Sequence, residues 1–250
     1  MTERVDTTLV KGLALLEELA GSPRALGVTE LGARLEMNKS SVHRLMQTLC
    51  RTGFAVQDAE RGGYRAGLKL WRLGCQVLDR NGLRRLAEGA MDRLLRLSGE
   101  SVHLSMREGL RTLYVDKRDS DQPVRAYSER GGTAPLHCVA TGKVLLAHDY
   151  PVLREAVLAA GLERFSDATI TDAAGLDREM TAIRAQGYAI NRGEYRADVA
   201  GIAAPILAPN ATMVAAIGIS GPISRLSEER MRDLVPVVIE AAQELSGLLG

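Results

Sequence analysis

The sequence predicts an α+β fold in two parts, and three patterns support this prediction. Before residue 67, three short helical segments are followed by two short strands that a glycine-containing turn connects. From residue 101 onward, strand-like segments alternate with helical ones, and antiparallel returns join neighbouring strands. Between residues 38 and 72, seven positive and two negative side chains lie in a chain whose net charge is only +1. A local basic patch on a neutral chain is typical of a nucleic-acid-binding module, and the alternative is a solvated basic face.

Composition argues against several classes of protein. Hydrophobic residues make up 46% and charged residues 25% of the 250 residues, as in a globular protein with a core. Aromatic residues make up only 4%, which argues against a stacking platform for single strands. The three cysteines are widely spaced and predict neither a disulfide framework nor a zinc ribbon. The first residues, MTERVDTTLVKG, lack the apolar core of a signal peptide, so we expect a cytoplasmic protein with no membrane partner. We also expect no bound metal and no cofactor.

The first two helical segments are short and amphipathic. Leucines recur at helical spacing in TTLVKGLALLEELA and predict the first helix: Leu9, Leu13, Leu16 and Leu19. The stretch GSPRALG then ends this helix. Thr29 is a plausible N-cap of a second helix, ELGARL, with Leu31 and Leu35 directed inward.

The third segment, NKSSVHRLMQTLCR, carries two stripes on opposite sides of one helix. Asn38 is a suitable N-cap, and the apolar stripe consists of Val42, Leu45, Met46 and Leu49. The polar face has side chains that donate hydrogen bonds to phosphates and base edges: Lys39, Ser40, Ser41, His43, Arg44, Gln47 and Arg51. Because a tight connection joins the second and third helices, the pattern predicts a helix-turn-helix whose second helix enters a major groove.

A hairpin follows this third helix. Residues 54–56 and 64–66 read as strands joined by a turn with paired glycines. Arg61 and Arg65 would place positive charge on this hairpin, as on the wing of a winged helix that contacts phosphates or the minor groove. The alternative is a structural helical hairpin with an exposed polar face.

The second half predicts helices and strands in alternation. Residues 68–78 form a linker helix, and residues 83–98 form an amphipathic helix with one apolar side: Leu83, Leu86, Ala90, Leu94 and Leu97. Strands are predicted at 101–107 (alternating), 111–118, 188–191, 199–207 and 213–220. Helices are predicted at 140–148, 151–160, 176–186 and from the N-cap Ser227 to about 249.

The sequence shows no signature of catalysis. The ATGK segment at 140–143 lacks the first glycine and the final Ser or Thr of a phosphate-binding loop, because His137 and Val144 stand there. The GISG segment at 218–221 lacks the spacing of a nucleophile elbow. The four histidines show no metal-ligand spacing. Adjacent His137 and Cys138 rarely point at each other, so we expect no catalytic residues and no enzyme.

Residues 5–74 resemble the DNA-binding domain of IclR-type bacterial transcriptional regulators. The similarity lies in LVKGLALLEELA, VTELGARL, NKSSVHRLMQTLCRTGF and GGYRAGLKLWRLG. It continues through APLHCVATGKVLLA, GYAINRGEY, VAGIAAPI and AAIGISGPISRLSEERM, which resemble the family's GAF-like effector domain. The sequence departs from the family pattern at Glu36 and Asp198, where glycine is usual, and at Gly218, where serine is frequent.

The resemblance implies a pocket lined by the start of the helix after Cys138 and by the last three strands. The matched positions are Ala140, Thr141, Asn191, Val199, Gly201, Gly218 and Ser220. Thr141, Asn191 and Ser220 are the expected polar anchors, and the alternative is that each is a satisfied core or turn residue. Gly218 in place of serine is expected to enlarge the pocket. Free N–H groups at the helix start would favour a carboxylate, which indicates a small organic acid or related catabolite.

These patterns together predict three regions: a winged helix-turn-helix at 1–75, a linker helix at 76–100 and an effector domain at 101–250. The predicted protein is a homodimer or homotetramer that binds a pseudopalindromic double-stranded DNA operator. Family members of this kind mostly repress, so the resemblance implies a repressor. The rival hypothesis is a GAF-like ligand-binding or enzymatic domain whose N-terminal module contacts protein instead of DNA.

Overall fold

The computed structural model describes residues 6–58, 62–79, 82–126 and 128–249. The chain forms two compact units, Met1–Asn81 and Gly82–Gly250. The predicted linker, residues 76–100, therefore falls partly in each unit, and its boundaries stay a prediction. Within the described ranges, none of the helices is both long and apolar enough to cross a membrane.

The first unit packs three helices against a two-stranded hairpin. Its elements are α1 (Thr7–Ala20), α2 (Val28–Arg34), α3 (Lys39–Arg51), β1 (Ala55–Gln57), β2 (Tyr64–Ala66) and α4 (Leu68–Asp79). Leu15, Leu31, Val42 and Met46 are fully buried in its core. β1 and β2 pair antiparallel, so the predicted wing strands are present. The core holds α2 and α3 in the helix-turn-helix order.

The ends of α2 and α3 show how local chemistry fixes this motif. Asn38 caps α3, and its Oδ1 accepts the N–H of Ser41 at 2.8 Å, as predicted. The prediction for Thr29 is wrong: Gly27 occupies the N-cap position of α2 without a side-chain hydrogen bond, and Thr29 lies inside the helix. In the turn between the helices, Glu36 has φ = 52°, the left-handed region in which glycine is favoured.

The buried face of α1 differs from the predicted leucine stripe. Leu15, Leu16 and Leu19 are buried, whereas Leu9 and Leu13 are 62% and 50% exposed. The first two turns of α1 therefore extend past the small core of this unit. A periodic pattern predicts which residues share a helix face, but it does not predict how far the core reaches along that face.

The second unit is a six-stranded antiparallel sheet with helices. Its elements are α5 (Leu83–Ser98), β3 (Ser101–Glu108), β4 (Arg111–Arg118), β5 (Thr133–Pro135), α6 (Ala140–Ala160), α7 (Ala173–Gln186), β6 (Ala189–Arg192), β7 (Val199–Leu207), β8 (Met213–Pro222) and α8 (Glu228–Gly247). The strand order is β5-β4-β3-β8-β7-β6. Helices α5 and α8 pack together against the sheet, and α6 packs against it with α7 as a second pair. The α+β prediction is confirmed.

Four details of this unit differ from the prediction. Residues 140–160 form one helix that continues through Pro151, because buried residues on both sides of the proline hold the two halves against one core. The first five residues of β3 are all buried, so the strand does not alternate. Helix α5 buries Ala87 and Met91, while Leu97 is 53% exposed. Strand β5 was not predicted, since three residues ending in proline carry no strand pattern.

Candidate functional site

The polar face of α3 is open to solvent in the first unit. On this face Lys39, Ser40, His43, Arg44, Gln47 and Arg51 are exposed, while Ser41 is half-buried. Val42 and Met46 on the opposite side are fully buried. The helix is thus anchored by its apolar side, and its hydrogen-bond donors face outward. This geometry matches a recognition helix that lies in a major groove.

The side chains on this face are free to make new contacts. The guanidinium groups of Arg44 and Arg51 make no hydrogen bond or ion pair with any other residue that the structure describes. His43 Nε2 and Gln47 Nε2 lie 3.1 Å apart, so these two side chains form a local pair. Ser40 Oγ donates to Asn38 Oδ1 at 2.9 Å, which ties it to the helix cap. The two arginines therefore have the greatest freedom to meet a phosphate or a base edge.

Of the two arginines predicted for the wing, the structure describes one. Arg65 is exposed on β2, with its Nε 3.7 Å from Asp58 Oδ2, and its guanidinium donates a 3.5 Å hydrogen bond to Pro23 O. Arg61 lies outside the described residues. The role of either arginine in DNA binding stays a prediction.

The second unit contains a cavity of about 260 Å³, close to the lower limit for small-molecule sites. Six of the seven residues predicted for an effector pocket line it: Ala140, Thr141, Asn191, Val199, Gly201 and Ser220. The cavity is bounded by the start of α6, by β7 and β8, and by the segments that flank β5 and β6. The structure thus brings together residues that lie far apart in the sequence. Their role in binding an effector stays a prediction.

Gly218 is the exception, because it does not line the cavity. It pairs with His103 in β3 and Ala203 in β7, and Ala203 belongs to the apolar cluster beneath α6 and α7. A Cβ placed on Gly218 would lie 2.5 Å from Ile202 O and 2.8 Å from Ala203 Cβ. The predicted enlargement of the pocket at Gly218 is therefore wrong: glycine here permits close packing of β8 against β7.

The start of α6 forms one wall of the cavity. Val139 is the N-cap and provides no side-chain hydrogen bond, and Ala140 and Thr141 follow it in the first turn. The N–H groups of a first helical turn have no partner within the helix, and the helix dipole is positive there. This wall therefore favours a negatively charged or hydrogen-bond-accepting group.

Gly142 and Lys143 have structural functions that differ from those of a phosphate loop. A Cβ on Gly142 would lie 2.7 Å from both Leu136 O and Thr112 Oγ1, so glycine allows α6 to approach these neighbours. Lys143 is 1% exposed, and its Nζ lies 2.7 Å from Glu179 Oε1 and 2.7 Å from Glu194 Oε1. The lysine thus joins α6 to α7 and to the segment after β6. It is not available to a phosphate.

The network around Lys143 also orients a cavity residue. The backbone N–H of Glu194 donates to Asn191 Oδ1 at 2.9 Å. The Asn191 oxygen thus already accepts one hydrogen bond, and the amide N–H groups are the donors that Asn191 can offer to a ligand. Burial raises the pKa of Glu194, while Lys143 acts in the opposite direction. The buried ion pair is hence a costly interior feature, and the Glu194 backbone links it to Asn191 of the cavity.

Several cavity residues were missed in the sequence: His103, Tyr114, Ser128, Glu129, Thr133, Tyr195 and Arg196. His103 is 5% exposed, and its Nε2 lies 2.6 Å from Ser220 Oγ. The signal that could have identified it is a histidine between Val102 and Leu104, in the half of β3 whose other residues are apolar or small. The other residues belong to β4, to the short strand β5 or to irregular segments, where no periodic pattern marks a binding residue.

The ionisation of the buried groups argues against nucleophilic chemistry. Burial, assisted by Lys117, lowers the pKa of His103 to about 4, so this imidazole is neutral at pH 7 and a weak base. Burial raises the pKa of the Cys138 thiol to about 12. His137 Nε2 donates to Glu163 O at 3.0 Å and is not paired with this thiol. The cavity is therefore suited to binding a ligand rather than to activating a nucleophile.

Comparisons with known proteins cover nearly the whole chain. The family profile "IclR helix-turn-helix domain" matches residues 8–59, and the profile "Bacterial transcriptional regulator IclR C-terminal" matches residues 75–247. HTH-type transcriptional regulator BhcR of Paracoccus denitrificans is 36% identical over 239 residues, which cover 95% of this chain and 85% of that protein. HTH-type transcriptional repressor AllR of Salmonella typhimurium is 31% identical over 246 residues, which cover 97% of this chain and 89% of that protein.

Solved structures share the fold of the whole chain. A crystal structure of an IclR homologue from Microbacterium hydrocarbonoxydans, in complex with 4-hydroxybenzoate, superposes with a TM-score of 0.85 at 26% identity. The superposition covers 97% of this chain and 99% of the other. The match therefore includes both compact units.

Proposed function

The chain belongs to the IclR family of bacterial transcriptional regulators. We propose that the protein binds a pseudopalindromic operator and represses transcription there, and that a small organic acid causes it to dissociate from this operator. Members of this family are regulators and not enzymes. The observation that carries the proposal is the outward-facing row of donors on α3, anchored by a buried apolar side. The proposed place of action is the cytoplasm, where the operator DNA is.

The proposed DNA-contacting residues divide into three groups. Arg44 and Gln47, in the middle of α3, read base edges in the major groove, since long donors at this position reach furthest into the groove. Lys39, Arg51, Arg61 and Arg65 contact phosphates. Ser40, Ser41 and His43 support these contacts from the first half of the helix.

The proposed effector site is the cavity of the second unit. Its support is the convergence of Thr141, Asn191 and Ser220 on one cavity beside the start of α6, which has no side-chain cap. A carboxylate would lie at this helix start, where the dipole is positive. A relative of known structure holds 4-hydroxybenzoate, which is a carboxylic acid of suitable size. Binding would shift the population of conformations that fit the operator.

We propose a homodimer, or a dimer of dimers, whose subunits meet through exposed apolar side chains of the first unit. α1 exposes Leu9, Val10 and Leu13, and α4 exposes Leu68, Trp71 and Val77. Trp71 is 72% exposed, an unusual position for a large aromatic residue in a monomer. A two-fold axis through such a patch would place two copies of α3 on successive half-sites of a pseudopalindrome.

The test is operator binding by full-length protein, with an operator selected from random duplex DNA. Arg44→Ala should weaken binding by about 1–3 kcal/mol and relax the preference at the base pair that Arg44 reads. The matched control is Arg178→Ala, which removes the same charge from the exposed side of α7. Unchanged affinity and unchanged sequence preference in Arg44→Ala would remove Arg44 from the interface.

The rival hypothesis, a first unit that contacts protein instead of DNA, predicts a different result. A DNA-binding module binds random duplex at about 50 mM salt through its phosphate contacts, and this binding weakens steeply as salt is added. Absence of any binding at this salt concentration would favour the rival. If the protein binds duplex DNA in a salt-dependent way and substitutions in α3 weaken this binding, the rival hypothesis is rejected.

A further inference from the structure

Two side chains on the polar face of α3 contact each other directly. His43 Nε2 and Gln47 Nε2 lie 3.1 Å apart, and the two residues are separated by one helical turn. Both side chains are exposed, so this contact adds nothing to the core of the first unit. Among the residues that the structure describes, the side chain of Gln47 has no other hydrogen-bond partner. We call this contact the His43–Gln47 pair.

The pair determines what the amide of Gln47 can offer to DNA. The amide nitrogen can only donate, so His43 Nε2 accepts and carries no proton. One of the two amide N–H groups is thereby used within the helix. The oxygen Oε1 and the second N–H stay open for another partner. Gln47 therefore presents one acceptor and one donor on its outer side.

One base matches this pattern in the major groove. Adenine exposes the N7 acceptor and the N6 amino donor there, and one amide can bind both at once. Guanine exposes two acceptors, N7 and O6, and suits a side chain that offers two donors. An unrestrained amide can turn its oxygen away and offer both N–H groups. Because His43 already holds one N–H of Gln47, the amide is fixed in the orientation that fits adenine.

Arg44 provides a contrast on the same helix face. Its guanidinium group has no partner among the described residues, so it must become ordered when DNA binds. Arg44 and Gln47 are three residues apart, which is about 4.5 Å along the helix axis. This distance is close to the rise of about 3.4 Å between base pairs, so the two side chains reach different base pairs. The base pair that Arg44 reads can therefore serve as an internal reference.

We propose that Gln47 reads an adenine in each half-site and that His43 is the positioning residue that fixes the amide of Gln47 for this base. The inference rests on the proposed function and names the base that one residue of α3 recognises. His43 acts through Gln47. Ordering one flexible side chain on binding lowers affinity about 2- to 10-fold, and the His43–Gln47 pair removes this cost in advance.

The test uses full-length protein and an operator selected from random duplex DNA. Each half-site should contain an A·T pair that wild-type protein prefers over the other pairs by roughly 5- to 150-fold, and Gln47→Ala should lose this preference. The base 7-deazaadenine pairs normally but lacks N7. Placed at this position, it should weaken binding of wild-type protein and leave binding of Gln47→Ala unchanged. If Gln47→Ala relaxes the preference at a G·C pair or at none, the proposal is overturned.

Substitutions of His43 test its positioning role. His43→Phe should reduce the preference for adenine about 2- to 10-fold, whereas His43→Gln retains an acceptor and should keep it. Neither variant should change the preference at the base pair that Arg44 reads. If His43→Phe weakens all sequences equally and leaves the preference for adenine unchanged, the positioning role is overturned. Circular dichroism checks that these exposed substitutions leave the fold intact.

Failure of this inference is distinguishable from failure of the proposed function. If the protein selects no operator and does not bind duplex DNA at about 50 mM salt, the proposed function fails and this inference fails with it. If the selected operator has preferences that depend on Arg44 but not on Gln47, the proposed function stands and only this inference fails.

Discussion

The polar face of α3 and the cavity of the second unit are both proposed binding surfaces, but they are built in opposite ways. The α3 residues come from one continuous helix, are exposed, and largely lack partners among the described residues. The cavity residues come from six or more segments, and several are buried and already hydrogen-bonded, such as His103 and Asn191. A surface for DNA needs free donors, whereas an enclosed site must satisfy its polar groups before a ligand arrives.

This difference has energetic consequences for substitution. An exposed side chain keeps its water when the protein folds, so its replacement changes binding far more than stability. A buried polar side chain loses its water on folding, so its replacement leaves its partners unpaired. The two regions should therefore respond differently to the same chemical change, and three predictions test this.

The largest effect is expected at Lys143. Lys143→Met should lower the free energy of unfolding of the second unit by about 3 kcal/mol, because Glu194 would stay buried without its partner. Lys39→Met, the same change on exposed α3, should alter stability by no more than about 0.5 kcal/mol. Urea unfolding followed by circular dichroism measures both. Equal effects of the two substitutions would contradict the comparison.

A second substitution identifies the cause of the Lys143 effect. Adding Glu194→Gln to Lys143→Met removes the unpaired buried charge, so the double variant should regain part of the lost stability. Further loss in the double variant would mean that packing around the lysine chain, rather than the ion pair, stabilises this region.

The second-largest effect is expected in the pH dependence of stability, to which the ionisation of His103 contributes. Its pKa falls from 6.5 to about 4 on folding, so the unfolded chain binds a proton more readily between these values. Stability is therefore complete above pH 6.5 and is lost as the pH falls toward 4, with a loss of about 2 kcal/mol between pH 7 and pH 5. The measurement is the difference in unfolding free energy between wild-type protein and His103→Phe at these two pH values.

His103→Phe controls for every other titrating group, including His137, whose pKa burial also lowers. The variant should retain only the pH dependence of those other groups. An identical pH dependence in both proteins would mean that His103 is not the titrating residue.

The smallest effect is expected in the helix-turn-helix. Glu36 has a left-handed backbone conformation, φ = 52°, which disfavours residues with a Cβ. Glu36→Gly should therefore raise the free energy of unfolding of the first unit by up to about 1 kcal/mol. This net gain already includes the loss that comes from the greater flexibility of glycine in the unfolded chain. Thermal unfolding measures this change. Glu36→Ala, which keeps a Cβ, should not stabilise, and equal gains in both variants would exclude the backbone explanation.

The sequence predicted the elements whose signals are local. The N-cap Asn38, the buried positions Val42 and Met46, and the strands Arg111–Arg118 and Val199–Leu207 all agree with the structure. In each case residues close together in the sequence determine the local structure: a side chain caps a helix, apolar residues recur at helical spacing, or turns bound a strand. The two matches to the resembled family extended these local signals to the whole chain.

Local signals failed where distant contacts decide the outcome. Pro151 indicated the start of a separate helix, but buried residues on both sides of it keep α6 continuous. Gly218 indicated a wider pocket, but Ala203 and Ile202 of β7 occupy the space beside it. Thr29 indicated a helix cap, yet the N-cap of α2 is Gly27, two residues earlier. A pattern in one segment contains no information about the atoms that another segment places against it.

The sequence by itself determined the order of helices and strands, the outward-facing donors of α3 and the family that the chain resembles, since these depend on spacing along one stretch of chain. Only the tertiary structure decided that further polar residues join the predicted ones at the cavity, that His103 joins Ser128 to Ser220, and that Lys143 is enclosed by two glutamates. The physical reason is that burial and hydrogen bonding between residues more than 20 positions apart arise only when the sheet assembles, and these set the charge and pairing of each group.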